Sequence, residues 1–236
     1  MHRDWSGRQL GRYRVEACLA SGPSGITLQA IDAGLERRVA LKLSPETKEA
    51  PVRQEACALA ALAHPNVVPV FDVGRVEGHF FYAMELIEGP NLARYARTAD
   101  SSAVLQAFVE AGQGLAAAHA RGIAHRAFSA QDVLLGRDGR ARVANFCPPL
   151  TPFHPKLARA DQFSYCAALW QTFEVNRSRL PRAVRRSLAR GLSVDPKRRF
   201  PSMEALLESL TEGKFLPKPR AGLSVALRSL LYTSLW

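Results

Sequence analysis

The sequence changes character at Glu88-Gly89-Pro90, and this change limits the folds that the chain can adopt. Before it, residues 13–43, 67–73 and 80–86 show the short alternating runs of β-strands, and residues 52–62 have helical spacing. After it come alanine- and leucine-rich helical segments, at residues 102–120, 161–173, 181–192 and 202–210. The pattern predicts an α+β fold with a small β-rich lobe containing one main helix, a larger helical lobe and a ligand-binding cleft between them.

The composition argues against several classes of protein. The four cysteines are far apart and form no C-x-x-C pair, so a zinc site and a disulfide framework are not expected, and a reducing cytoplasm fits best. Residues 1–10 are polar and contain no apolar run, so a signal peptide and secretion are not expected. No stretch reaches the roughly 20 apolar residues that cross a bilayer, so membrane spanning is not expected. The formal charge of +11 comes largely from arginines along the whole chain, without interleaved aromatic residues, and no nucleic-acid partner is expected.

Seven motifs follow one another in a defined order. They are LASGPSGI at 19–26, VALK at 39–42, RQEA at 53–56, FYAMELIEG at 81–89, GIAHRAFSAQDVLL at 122–135, RVANFC at 142–147 and LARGLSVDPKRRFPSM at 188–203. Each is weak alone, but in this order they resemble the protein kinase family, close to the bacterial serine/threonine kinases. The resemblance implies a two-lobed kinase-like fold with a small lobe at residues 12–86 and a large lobe at residues 87–212.

The resemblance also implies an ATP site in the cleft. In the family, glycines cover the phosphates, the lysine at the position of Lys42 holds them, and the glutamate at the position of Glu55 fixes that lysine. Here Ala20 replaces the first loop glycine and Pro23 removes an amide donor, so an ordinary hairpin turn and solvated surface charges remain alternatives. The candidate nucleotide-binding residues are Leu19, Gly22, Gly25, Ala40, Lys42, Glu55, Met84, Glu85 and Leu86.

The positions that carry the chemistry are altered. The resemblance places Ala127 at the position of the catalytic aspartate and Ser129 at the position of the catalytic-loop lysine. Alanine has no oxygen to orient a substrate hydroxyl or accept its proton, and serine carries no positive charge for the γ-phosphate. No catalytic residue is therefore intact, which predicts a degenerate kinase domain, a pseudokinase.

The candidate metal ligands are exchanged. Asp132 stands where the family has an asparagine, and Asn145 stands where it has the magnesium-binding aspartate. An amide oxygen is a weaker ligand than a carboxylate for a hard dication, so these two residues are weak candidates for binding Mg²⁺. Either the exchange preserves binding of magnesium-ATP, or the site has drifted; the sequence leaves both open.

Two segments are shorter than the resemblance implies. Residues 146–160 form a shortened activation segment, whose prolines predict a stiff, extended run: Pro148, Pro149, Pro152 and Pro155. Residues 174–179 are too few for a substrate-docking helix. Because the family's acidic partner for Arg199 is missing, we expect this arginine to be exposed or to have a substitute partner, such as another acid.

The terminal segments lie outside the resemblance. Residues 1–11 read as an N-terminal extension, and residues 213–236 as a basic, amphipathic tail. The tail could pack on the large lobe, bind a protein partner or lie on an anionic membrane. For the whole chain three hypotheses remain: a pseudokinase that binds a nucleotide or a protein in signalling, a weakly active or unconventional serine/threonine kinase, and a decayed product without a stable function.

Overall fold

The computed structural model describes residues 5–22, 25–45, 53, 56–57, 59–60, 62–146, 154–176 and 179–211. The strands are β1 (Gln9–Leu10), β2 (Tyr13–Gly22), β3 (Gly25–Asp32), β4 (Arg37–Pro45), β5 (Val70–Val76), β6 (His79–Glu85), β7 (Val133–Leu135) and β8 (Ala141–Val143). The helices are α1 (Leu92–Tyr95), α2 (Ser101–Ala120), α3 (Pro155–Val175), α4 (Arg182–Gly191) and α5 (Met203–Thr211), with 3₁₀ turns at Ala130–Asp132 and Pro196–Arg198.

The small lobe is an antiparallel six-stranded sheet in the order β1-β2-β3-β4-β6-β5. Because side chains alternate along a strand, β4 and β6 each present two different faces. Leu41 and Phe81 point into one core, which also buries Trp5, Leu10 and Tyr13. The sequence pattern gave no sign that Trp5 packs in this core.

The other face of the sheet packs toward the cleft. Phe80, Tyr82 and Met84 of β6 are buried there together with Ala40 of β4. Ala56 is fully buried in the same cluster, and it belongs to the segment at residues 53–60 whose described residues are helical. The predicted small-lobe helix therefore lies against the face of the sheet that borders the cleft.

The large lobe is built around α2 and α3. Phe108 of α2 and Tyr165 of α3 are both buried and contact edge to face, and the Tyr165 hydroxyl donates to the Phe108 carbonyl at 2.8 Å. Gly112 lets α2 approach α5 closely, because a Cβ there would lie 2.5 Å from Leu207 Cδ2. None of the helices in the described ranges is long and apolar enough to cross a membrane.

Helix α3 begins six residues before the predicted start at Asp161. His154 caps it by accepting from the Lys156 N–H, and Pro155 occupies the first turn. Proline is tolerated there because the first amides of a helix have no intrahelical partner. The prediction that Pro155 lies in an extended run was therefore wrong, whereas Pro148, Pro149 and Pro152 lie outside the described residues.

Candidate functional site in the interlobe cleft

The cleft is lined by apolar residues from both lobes. Ala40 pairs with Met84 across β4 and β6, and both side chains are buried. Leu86, after β6, and Leu134, on β7 of the large lobe, pack against the same cluster. The cleft thus has apolar walls suited to a flat ring such as a purine. Three of these residues were predicted from the sequence, whereas Leu134 was not, because its only signal was an apolar strand after the catalytic-loop motif.

Lys42 lies on the same strand face as Ala40, two residues further along β4. Its side chain is buried, with Nζ 5.6 Å from the centroid of the Tyr82 ring. The ammonium group is therefore held within the cleft rather than on the open surface. Glu55, its predicted partner, lies outside the described residues.

The glycine loop is the hairpin between β2 and β3. Gly22 pairs with Gly25, and Pro23 lies between them, outside the described residues. Gly25 has φ +122°, and a Cβ there would collide with the Leu43 carbonyl, so only glycine fits at this close approach. Leu19 is 47% exposed at the outer edge of the loop. The segment thus forms a hairpin between β2 and β3, and its role in covering phosphates stays a prediction.

The segment after β6 connects the lobes. The Glu85 N–H donates to the Pro69 carbonyl at 3.1 Å, so this donor already has a hydrogen-bond partner. The Glu85 carboxylate lies 3.5 Å from Arg142 Nε on β8, so it links the lobes. A purine would therefore have to bond to other backbone groups of the segment that includes Leu86.

Asp161 holds the catalytic loop on α3. Its fully buried carboxylate accepts from the backbone N–H groups of His125 at 2.7 Å and Arg126 at 2.6 Å. The Nε2 atom of His119 lies 2.8 Å from the same carboxylate. From the sequence Asp161 was predicted only as the start of a helix, and this role was not foreseen. The available signal was an acid at a core-facing helical position.

His125 joins the catalytic loop to the segment that follows β8. Its Nε2 atom lies 2.9 Å from the Ala144 carbonyl, and its ring contacts Phe128 and Phe146 at centroid distances of 5.4 and 4.8 Å. Burial lowers the pKa of His125, opposed by the charges of Asp132 and Asp161 and by the hydrogen bond to Ala144. A neutral imidazole is therefore favoured at this position.

Ala127 is exposed between the buried rings of His125 and Phe128. Arg126, immediately before it, has φ +71°, a conformation that non-glycine residues rarely adopt. The loop thus presents residue 127 outward, and a methyl group occupies the position that the resemblance assigns to a catalytic acid. No general base is available from this residue.

The candidate metal ligands contact each other. Asn145 Nδ2 donates to Asp132 Oδ1 at 3.2 Å, while Asp132 Oδ2 accepts from the Ser129 N–H and Oγ–H at 2.9 and 2.7 Å. Asn145 has φ +57°, which asparagine tolerates better than most residues. The only carboxylate of this group is thus engaged by three donors.

The arrangement of Asp132 and Asn145 offers few ligands for a divalent cation. The group supplies a single carboxylate, Asp132, and the Asn145 amide turns an N–H toward it instead of an oxygen. In the part of the chain that the structure describes, no three His, Cys, Asp or Glu side chains form a cluster that could hold a metal. The residues as arranged do not fit a resident Mg²⁺.

Arg199 is half-buried and held by carbonyl groups. Its Nε donates to the Ser193 carbonyl and its Nη1 to the Arg159 carbonyl, both at 2.8 Å, and its guanidinium lies 4.9 Å from the Phe163 ring. The prediction of a substitute partner is confirmed, and the partners are carbonyl groups instead of another acid. The early start of α3 brings the Arg159 carbonyl within reach, so backbone oxygens take the place of a carboxylate.

Comparison with known proteins agrees with this architecture. The family model described as "Protein kinase domain" matches residues 13–147, more than half of the chain. The chain belongs to the protein kinase family. It is 35% identical over 149 residues to the serine/threonine-protein kinase PknE of Mycobacterium tuberculosis, covering 59% of this chain and 26% of that protein.

A second relative is the DNA damage-responsive serine/threonine-protein kinase RqkA of Deinococcus radiodurans, 35% identical over 146 residues, covering 58% of this chain and 22% of that protein. The family type is thus bacterial serine/threonine. The chain spans about a quarter of the length of the curated relatives it matches.

The fold matches solved kinase domains over most of the chain. The C20A mutant of the Mycobacterium tuberculosis PknI kinase domain superposes with a TM-score of 0.72 at 24% identity, covering 90% of this chain and 99% of that one. Rad53 1-466 in complex with AMP-PNP gives a TM-score of 0.72 at 15% identity, covering 84% of this chain and 64% of that one. The predicted two-lobed kinase fold is confirmed.

Proposed function

We propose that this chain is a nucleotide-binding pseudokinase, which binds ATP in the interlobe cleft without transferring its phosphate. The observation that carries this proposal concerns two residues of the catalytic loop, Ala127 and Asp132. Ala127 has no oxygen, and the nearby carboxylate of Asp132 is engaged by Ser129 and Asn145. No acid of the loop remains to orient a hydroxyl acceptor.

The expected loss in reaction rate supports the absence of phosphate transfer. General-base assistance contributes roughly 100- to 10,000-fold to a reaction rate. Ser129 replaces a positively charged residue and uses its hydroxyl to bond Asp132, so it cannot stabilise charge on a γ-phosphate. The two losses act at the same step, and both slow transfer.

Nucleotide binding is supported by what the cleft retains. Lys42 is buried on the same strand face as Ala40, which places a positive charge beside the apolar walls formed with Met84 and Leu134. The Asn145 amide bonds the Asp132 carboxylate and so reduces its repulsion of phosphate. We infer that ATP binds with little dependence on Mg²⁺.

Two measurements test this function. In a thermal-shift titration, ATP should raise the melting temperature to a similar extent in EDTA and in excess Mg²⁺, and Lys42→Ala should reduce the shift. With labelled ATP and either Mg²⁺ or Mn²⁺, phosphate incorporation should not exceed that of Lys42→Ala. The exposed Lys156→Ala variant is the control for removal of a lysine.

A weakly active kinase is the second candidate, because Phe146 packs on His125 in an ordered core and Lys42 is retained. Phosphoryl transfer depends mainly on positioning and electrostatics, so some rate could survive without the base. Incorporation of phosphate that disappears in Lys42→Ala would establish this candidate. A decayed, non-functional product would instead lack a cooperative melting transition.

A further inference from the structure

The catalytic loop and the segment after β8 meet at one edge of the cleft. Ala144, directly after β8, is buried with Ala40 in the cluster that lines the cleft, and its N–H donates to the Asp132 carbonyl at 2.8 Å. Leu134, two residues beyond Asp132, packs against the same cluster. Asp132 and the exposed Asn145 therefore border the apolar walls of the cleft.

The Asp132 carboxylate is held at this edge by neutral groups. Its three donors are the Ser129 N–H, the Ser129 Oγ–H and the Asn145 amide. Among the residues that the structure describes, no cation forms an ion pair with Asp132, and the predicted basic tail at residues 213–236 lies outside them. Neutral donors weaken the field of a carboxylate without cancelling its charge.

Lys42 brings a positive charge to the small-lobe side of the cleft. Its side chain is buried on β4 with Nζ near the Tyr82 ring, and none of the described carboxylates forms an ion pair with it. The ammonium group is therefore available to attract a phosphate chain. The terminal phosphate of ATP adds about one negative charge to those of ADP, so the longer chain leaves more charge that one lysine does not neutralise.

The terminal phosphate lacks the partners that the kinase family provides, which are metal ions and a catalytic-loop lysine. Ser129 carries no charge, and the arrangement of Asp132 and Asn145 does not fit Mg²⁺. We propose that the cleft binds a nucleoside diphosphate more tightly than the triphosphate, and that the charge of Asp132 sets this preference. The preference rests on the proposed nucleotide binding and specifies which nucleotide occupies the cleft.

Calorimetric titration of the full chain in EDTA with ADP, ATP and AMP measures this preference. We expect ADP to bind about fivefold more tightly than ATP, because the additional phosphate of ATP is repelled by Asp132. AMP should bind more weakly than ADP, since Lys42 has fewer phosphates to attract. Lys42→Ala should remove the difference between ADP and AMP.

Asp132→Asn is the decisive variant. It removes the negative charge and keeps an oxygen that can accept from the Ser129 N–H. We expect the affinity for ATP to rise roughly fivefold relative to that for ADP, which abolishes the preference.

Asp100→Asn is the matched control. It removes the same charge before α2, where the exposed Asp100 side chain makes no capping hydrogen bond. Helix α2 has 20 residues, so about 30 Å of helix separates Asp100 from the end that leads to the catalytic loop. The ratio of the two affinities should stay unchanged in this variant.

Ser129→Lys tests the same preference by adding a positive charge beside Asp132. It should raise the affinity for ATP relative to ADP, and it serves as the test if Asp132→Asn lowers the melting temperature enough to prevent titration. The melting temperature of each variant is measured first.

Two results would overturn the preference. They are tighter binding of ATP than of ADP to the unaltered chain in EDTA, and an equal ratio of the two affinities in Asp132→Asn and Asp100→Asn. If neither nucleotide binds the unaltered chain, the proposed function itself is wrong and the preference falls with it. The two failures are therefore distinguishable.

Discussion

The carboxylate of Asp161 accepts hydrogen bonds from the backbone N–H groups of His125 and Arg126, and so fixes the catalytic loop to the core of the large lobe. The contact spans 36 residues of sequence to His125. It keeps the loop in place, with an alanine at residue 127. The position of the catalytic loop is therefore fixed by hydrogen bonds to a buried residue of the large lobe.

Replacing Asp161 with asparagine should destabilise the protein. The amide would turn an N–H toward one of three donors and leave a buried hydrogen-bonding group unsatisfied, at a cost of roughly 2–4 kcal/mol. For a chain of this size we expect the melting temperature to fall by on the order of 10 °C. Glu174→Gln, at an exposed position of the same helix, should change it by less than about 2 °C. Equal effects of the two substitutions would contradict the anchoring role.

Stability should fall as the solution is acidified through the histidine range. Because burial lowers the pKa of His125 below 6.5, the unfolded chain takes up the proton at a higher pH than the folded chain. The stabilisation is complete above pH 6.5 and is lost as the pH falls toward the folded pKa, with a slope of up to about 1.4 kcal/mol per pH unit.

Urea unfolding between pH 5 and 8 measures this slope. His125→Gln should reduce it, whereas His154→Gln, at an exposed position, should leave it in place. A slope that survives unchanged in His125→Gln would assign the titration to another group. Half-buried His64, whose pKa is also lowered by partial burial, is the next candidate.

Restoring an acid at position 145 should make ATP binding depend on metal. In Asn145→Asp two carboxylates would face each other where the amide now donates to Asp132 at 3.2 Å, and they would repel both each other and the phosphates. We expect the ATP-induced thermal shift to shrink in EDTA and to recover in Mg²⁺. Gln131→Glu adds the same charge at an exposed neighbouring position and should not create this dependence. A strong requirement for Mg²⁺ in the unaltered chain would contradict the proposed metal-independent binding.

Arg199 should contribute to stability through its carbonyl partners. Arg199→Ala removes hydrogen bonds to Ser193 and Arg159 and the stacking on Phe163, for which we expect a loss of about 1–3 kcal/mol in the free energy of unfolding. The adjacent Arg198 has an 82% exposed side chain, and Arg198→Ala should cost less than about 0.5 kcal/mol. Denaturant unfolding of both variants provides the comparison.

Local patterns predicted the elements of this fold well. Alternation identified β4 and β6, and helical spacing identified α2, α4 and α5 to within one or two residues, because each pattern reflects which face of an element is buried. The start of α3 was missed since proline is read as a breaker, although the first turn of a helix accepts it. The candidate cleft residues were found only through motif order.

By itself the sequence determined the order of strands and helices, the two lobes and the identity of the groups at the chemical positions, among them Ala127 and Asn145. Only the tertiary structure decided which of these groups meet. The contact of Asp132 with Asn145 and the bond of Arg199 to the Arg159 carbonyl join residues 13 and 40 positions apart, and Trp5 is buried among the strands of the small lobe. Such contacts depend on how whole elements pack, and no local periodicity encodes them.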